Sequence, residues 1–205
     1  DKFIQGEVAA HKACSPELRE TALRHPDVLV RRKLASNESL ATDYLLLLMK
    51  DEDPLVRSAA IGNAVLEDDH LGSADDPSIR VRRTEAKRED LSALIIDGLA
   101  DDEDHWVRRW RNPSCPDFIL ERLAKDEAPW VRAGVALRED LARHILLALE
   151  SDKDIDVTSA VGRNPGTDEA ILLAIAEHEN RDVRRSVIVN PHVPDAALIR
   201  MILTL

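Results

Sequence analysis

The side chains able to do chemistry in this sequence are two cysteines, seven histidines, a recurring arginine and three tryptophans. Cys14 and Cys115 are too few for a disulfide framework and have no histidine companions at metal-ligand spacing. Both fall where a repeating pattern elsewhere places Leu, Thr or Val, so they read as small buried hydrophobes. The histidines, at 11, 25, 70, 105, 144, 178 and 192, share no helix-face ligand spacing and read as surface or turn residues. There is no glycine-rich phosphate loop, no Gly-x-Ser-x-Gly and no paired nucleophile and base. The expectation is a non-enzymatic protein with no catalytic residues, no metal and no cofactor.

The arginines carry the pattern. Valine precedes arginine at Val30-Arg31, Val56-Arg57, Val107-Arg108, Val131-Arg132 and Val183-Arg184, and Val157 continues the series with Thr158. About ten residues on stands a second anchor: Cys14, Leu40, Leu66, Leu91, Cys115, Leu141, Thr167 and Val193, at intervals of 26, 26, 25, 24, 26, 26 and 26. So regular a period marks a stacked repeat. After each second anchor, apolar residues recur at i, i+4, as in Ile119 and Leu123 or Ile145 and Leu149. A shorter piece begins near each valine with the same spacing, as in Val30 and Leu34 or Val131 and Val135. One helical turn brings such residues to one face, so each piece is an amphipathic helix with a single dry stripe.

The connections fit. Acidic turns precede the valines, as in DEDPLVR at 51–57 and DEAPWVR at 126–132; Asp caps open N–H groups and Pro suits the first turn. Asn-Pro at 112–113, 164–165 and 190–191 disfavours further helix and turns the chain. REDL, at 88–91 and 138–141, replaces it in two units, where its acids are expected to serve the next helix start.

The fold expected is an all-α, right-handed solenoid of about eight repeats of ~26 residues, one domain over 1–205, its coils burying each other's aliphatic stripes. Composition agrees: 44% hydrophobic with only 3% aromatic makes an aliphatic core, and 33% charged residues supply a wet outer face. A net charge of −11 argues against unspecific attachment to nucleic acid or anionic membrane. No apolar run reaches a membrane span, no signal-peptide plan opens the chain, and two cysteines fit a reducing cytoplasm. The chain opens without Met and stops in the apolar run MILTL, as a fragment of a longer protein would.

The DPxVR turn, the second anchor and Asn-Pro together resemble the leucine-rich repeat variant family of bacteria, over nearly the whole chain from about Val8. The resemblance implies a short helix, often 3-10, alternating with a longer α-helix in a right-handed superhelix. The family repeat is somewhat shorter than the spacing here. A founding member carries an N-terminal cysteine cluster holding an iron–sulfur centre. No such cluster is present here, so that cofactor is carried over only if a missing N-terminus supplied it. The family's biochemical role is ill defined, so the resemblance implies fold far more than function.

Two readings of the arginines stay open. Each ladder arginine bridges to an Asp of the neighbouring coil, which guanidinium geometry suits, or the ladder is a basic track for nucleic acid or an acidic protein. The middle, about 66–115, breaks the rules. EDDHLGSADD at 67–76 replaces an apolar stripe and shortens or frays its helix, and PSIRVRR offers the registers Ile79-Arg80 and Val81-Arg82. All three tryptophans fall in or beside this stretch, and Trp106 and Trp130 share a repeat position in adjacent coils. Trp106, Arg108, Arg109, Trp110, Arg111, Trp130 and Arg132 form the candidate binding set, because Trp and Arg dominate interface hot spots. The competing reading is that the indoles fill space left by a local deletion. A protein or peptide partner is expected first and nucleic acid second.

Overall fold

A computed structural model describes residues 1–63, 74–109 and 112–203. These form fifteen α-helices, and no strand occurs among the described residues. Eight helices carry the valine positions: α1 (Lys2–Ala10), α3 (Val28–Ala35), α5 (Pro54–Asn63), α6 (Ile79–Glu85), α8 (His105–Arg108), α10 (Pro129–Ala136), α12 (Ile155–Arg163) and α14 (Arg181–Ile188). Seven follow the second anchors: α2 (Pro16–Leu23), α4 (Thr42–Leu48), α7 (Ala93–Ala100), α9 (Asp117–Leu123), α11 (Arg143–Leu149), α13 (Glu169–Ala176) and α15 (Asp195–Leu203). The anchor Leu66, the acidic segment 67–73 after it, Trp110 and Arg111 lie outside the described residues.

One expectation needs adjusting. The two helices of a coil are alike in length, and the valine helices are α-helical: α3 and α13 both run eight residues, α12 nine and α11 seven. The reason is capping. Asp27, Asp104 and Asp154 each accept a backbone N–H of the first turn, and Pro129 opens α10, so each valine helix starts early and completes its α-helical bonds. The exception is α8, which spans four residues in the coil that lost two positions.

The chain divides into two compact units, 1–99 and 100–205. In the first, α1 packs on α3, α3 on α5 and α5 on α6; in the second, α10 packs on α12 and α12 on α14. The valine helices are thus stacked coil on coil within each unit. Val30, Val56, Val81, Val131, Val157 and Val183 are all at most 2% exposed, and Leu34, Ala60, Val135, Val161 and Val187, one turn on, are buried beside them. This settles the register at 79–82: Val81 is fully buried while Ile79 is 40% exposed. Packing between α12 and α14 is close at Gly162, where a methyl group would sit 3.1 Å from Ser186 Cβ.

Candidate functional site

Four of the ladder arginines are closed by carboxylates. Arg31 Nε and Nη2 donate to Asp51 at 2.7 and 3.0 Å, and Arg57 to Asp76 at 2.7 and 2.9 Å. In the second unit Arg108 holds Asp126 at 2.6 and 2.9 Å, and Arg132 holds Asp152 at 2.7 and 2.8 Å. The remaining Nη1 turns back onto the acidic turn before its own helix: Arg132 Nη1 donates to the carbonyls of Asp126 and Glu127 at 2.7 and 3.1 Å. Each ladder aspartate therefore joins two coils. The Asp126 carboxylate takes Arg108 of the coil before, and its carbonyl takes Arg132 of its own coil. Its Oδ1 also accepts the Ala128 N–H at 2.8 Å.

Burial by itself would raise these carboxyl pKa values. The guanidinium hydrogen bond, the peptide N–H and the arginine charge outweigh it, and Asp51, Asp76, Asp126 and Asp152 all lie below the ordinary 3.8. The paired arginines are raised correspondingly, by their hydrogen bonds to these aspartates.

Exceptions to the ladder obey its logic. Gln5 and Thr158 stand in the arginine place, and twenty residues on, where Asp51 and Asp152 follow Arg31 and Arg132, stand His25 and His178. Losing the cation removes the need for the anion. Thr158 Oγ1 keeps only the backward bond, to the Asp152 carbonyl at 3.2 Å. Thr158→Arg combined with His178→Asp is expected to restore a ladder rung. Either change alone lowers stability, and a double-mutant cycle in urea gives a favourable coupling of about 2 kcal/mol. Additive effects in that cycle would contradict the pairing rule.

A second ladder escaped the sequence reading, which saw its residues only as turns. Asn37 Nδ2 donates to the carbonyls of Ala9 and His11 in the coil before, at 3.0 and 3.1 Å. Asn63, Asn164 and Asn190 repeat this bridge, and Asn164 reaches Ala136 and Arg138 at 2.6 Å each. The signal available was asparagine recurring at 37, 63, 112, 164 and 190. REDL corrects an expectation: at 138–141 its acids do not cap the next helix, since α11 has no side-chain cap, and after 88–91 it is Ser92 Oγ that accepts the Ile95 N–H, at 3.5 Å. Arg138 occupies the asparagine place and donates to the carbonyls of Asn112 and Pro113 at 2.5 and 3.0 Å, with Asp140 at 3.6 Å beside it. Arg88 likewise donates to Ile61 O at 2.8 Å and pairs with Asp90. A longer cation reaches the same carbonyls, and the acid balances its charge.

These bonds divide the candidate binding set. Arg108 and Arg132 are spent in the ladder, with side chains 10% and 6% exposed. Trp110 and Arg111 lie outside the described residues. Trp106, Arg109 and Trp130 remain, and the structure brings them together. Trp106 and Trp130 are 51% and 48% exposed, so neither fills the interior. Between them lies His105, its ring centroid 5.4 Å from that of Trp106 and 5.2 Å from that of Trp130. The Arg109 guanidinium stacks over Trp106 at 5.3 Å. The N-cap Asp104, accepting the N–H groups of Trp106 and Val107 at 3.0 and 3.2 Å, fixes the start of this helix and so the place of the first indole.

A groove of about 840 Å³ in the same unit is lined by acidic residues of the turns and by Phe118 of α9, and shares no lining residue with the indole patch. Cys14 and Cys115 are both free thiols; Cys14 is buried, and burial raises the Cys115 pKa. No helix among the described residues is long and apolar enough to cross a membrane.

Comparison of the fold with solved structures gives a match to a leucine-rich repeat variant with a novel repetitive structural motif. The TM-score is 0.70 at 26% sequence identity, over 91% of this chain and 80% of that one. No protein-family model matches the sequence, and no curated protein matches it significantly.

Proposed function

We propose that this chain, which has the leucine-rich repeat variant fold, is a non-enzymatic cytoplasmic scaffold that binds a protein or peptide through the surface of α8 and α10. One observation carries this reading: two half-exposed indoles sit on one imidazole beside a stacked guanidinium, on helices fixed from below by the polar ladders. Large rigid aromatics and arginine held in place lose little entropy on binding, which is why they dominate hot spots. The helical-repeat neighbour supports a scaffold. A nucleic-acid track along the ladder has less support, because Arg31, Arg57, Arg108 and Arg132 give Nε and Nη2 to aspartates and Nη1 to backbone carbonyls.

The test compares proteins retained by the wild-type chain and by Trp106→Ala in affinity pull-downs, with quantitative titration of the recovered partner. Truncating a hot-spot tryptophan costs about 2 kcal/mol or more, roughly a thirtyfold loss of affinity. Circular dichroism of the variant stays unchanged because the ring is outside the core. An identical set of retained proteins with unchanged affinity would remove this surface from consideration.

A further inference from the structure

The donors of Arg109 are the open part of this patch. Arg108 next to it makes four hydrogen bonds, two to Asp126 and two to the carbonyls of Asp102 and Glu103. Among the described residues no carboxylate or carbonyl accepts from the Arg109 guanidinium, whose recorded contact is the Trp106 ring. The nearby Glu127 carboxylate turns to Arg108, at 3.6 Å. Yet Arg109 is not a loosely solvated side chain. A methyl group on Gly134 would meet its Cγ at 3.3 Å and its carbonyl oxygen at 3.4 Å, so stem and backbone lie against the next coil. Packed stem, stacked head and donors that meet no acceptor among the described residues together describe a guanidinium held ready for a planar acceptor.

Resting on the scaffold reading above, we infer that the partner segment is acidic: it places an Asp or Glu carboxylate on Arg109 and a bulky apolar side chain on Trp106 and Trp130. Stacked helices are about 8–10 Å apart, and an extended chain rises about 3.3 Å per residue. The acid and the apolar residue therefore stand within about three positions of each other. The stacked face of Arg109 leaves its Nε and Nη edge for bidentate pairing, while the exposed indole surface takes the neighbouring apolar group out of water.

The experiment selects displayed random dodecapeptides on the full chain. Enriched peptides, and a single-stranded oligonucleotide as the rival polyanion, are then titrated by tryptophan fluorescence against wild type, Arg109→Gln, Arg109→Lys and Trp106→Ala. Enriched sequences are expected to carry Asp or Glu within about three residues of a bulky apolar residue. Arg109→Gln weakens them about tenfold or more, Arg109→Lys recovers only part of that, and replacing the peptide's acid by its amide removes the sensitivity to Arg109. Enriched peptides that are neutral or basic, or acidic ones indifferent to Arg109→Gln, overturn the inference; if they still depend on Trp106, the scaffold reading stands without it. Tighter binding of the oligonucleotide than of any peptide overturns it as well. No enrichment at all removes both.

Discussion

Asn164→Asp is expected to destabilise the protein by about 4 kcal/mol at neutral pH, and the loss is expected to shrink as the solution is acidified. Asn164 is 1% exposed. Its Nδ2 donates to the carbonyls of Ala136 and Arg138 at 2.6 Å each, and its Oδ1 accepts the Gly166 N–H at 2.7 Å. An ionised carboxylate keeps the last bond but turns a second oxygen toward two carbonyl oxygens at a site shielded from solvent. Protonation returns one donor to that edge, so the introduced carboxyl titrates above its unfolded value of about 3.9. The sign follows. The charge-dependent part of the penalty is complete above the folded pKa and absent below the unfolded one, so the gap to wild type narrows as pH falls from 7 toward 4. Urea unfolding at both ends of that range measures it. A loss of the same size at both would contradict a donor role for Asn164.

Arg132→Ala comes next, with an expected loss of about 3 kcal/mol and a melting temperature lower by about 6–12 °C. The value is set at the low end for a broken buried pair because a little of each partner still meets solvent, the side chains being 6% and 11% exposed. Removing the guanidinium strands the Asp152 carboxylate with the Asp154 N–H and leaves the carbonyls of Asp126 and Glu127 without their donor. Arg132→Lys recovers little, since a point charge cannot span both carboxylate oxygens and reach back to the preceding turn. The gap to wild type again narrows on acidification, as for the asparagine variant, but it does so through the opposite pKa shift and in a lower pH window. The folded pKa of Asp152 is lowered, so the rung contributes fully above the unfolded value near 3.9 and is lost as pH falls through the folded one. The stability difference between wild type and Arg132→Ala, read by thermal circular dichroism, is therefore large at pH 7 and falls away below about pH 4. A loss under about 1 kcal/mol at pH 7 would demote the rung to a surface pair of ordinary worth.

The helices and their starts were legible in the residues because their causes are local. Apolar residues one turn apart must share a face, so Val131 and Val135 mark a buried stripe wherever the helix packs. Asp154 caps α12 within two residues of itself, and Pro129 opens α10. The repeat intervals carried the stacking, since a coil too small to bury its own stripe needs a neighbour. Much of the arginine ladder was legible as one of two alternatives, for the same spacing that aligns arginines also aligns aspartates about twenty residues later.

What distance along the chain could not supply, tertiary structure decided. Ile79-Arg80 and Val81-Arg82 satisfy the same local pattern; only packing on α5 shows that Val81 goes inside and that Arg82 takes the carbonyl of Asp76. Asn164 and Arg138 look unrelated in sequence, yet stacking brings each to carbonyls of the preceding coil, where any donor of sufficient reach will serve. Sequence placed Trp106, Arg108, Arg109, Trp130 and Arg132 in one candidate set, and the fold divided it: two arginines face aspartates one coil on, whereas Arg109 faces an indole and meets no acceptor among the described residues. Side chains one position apart on a helix point about 100° apart, and which direction meets a neighbour depends on how the coils stack.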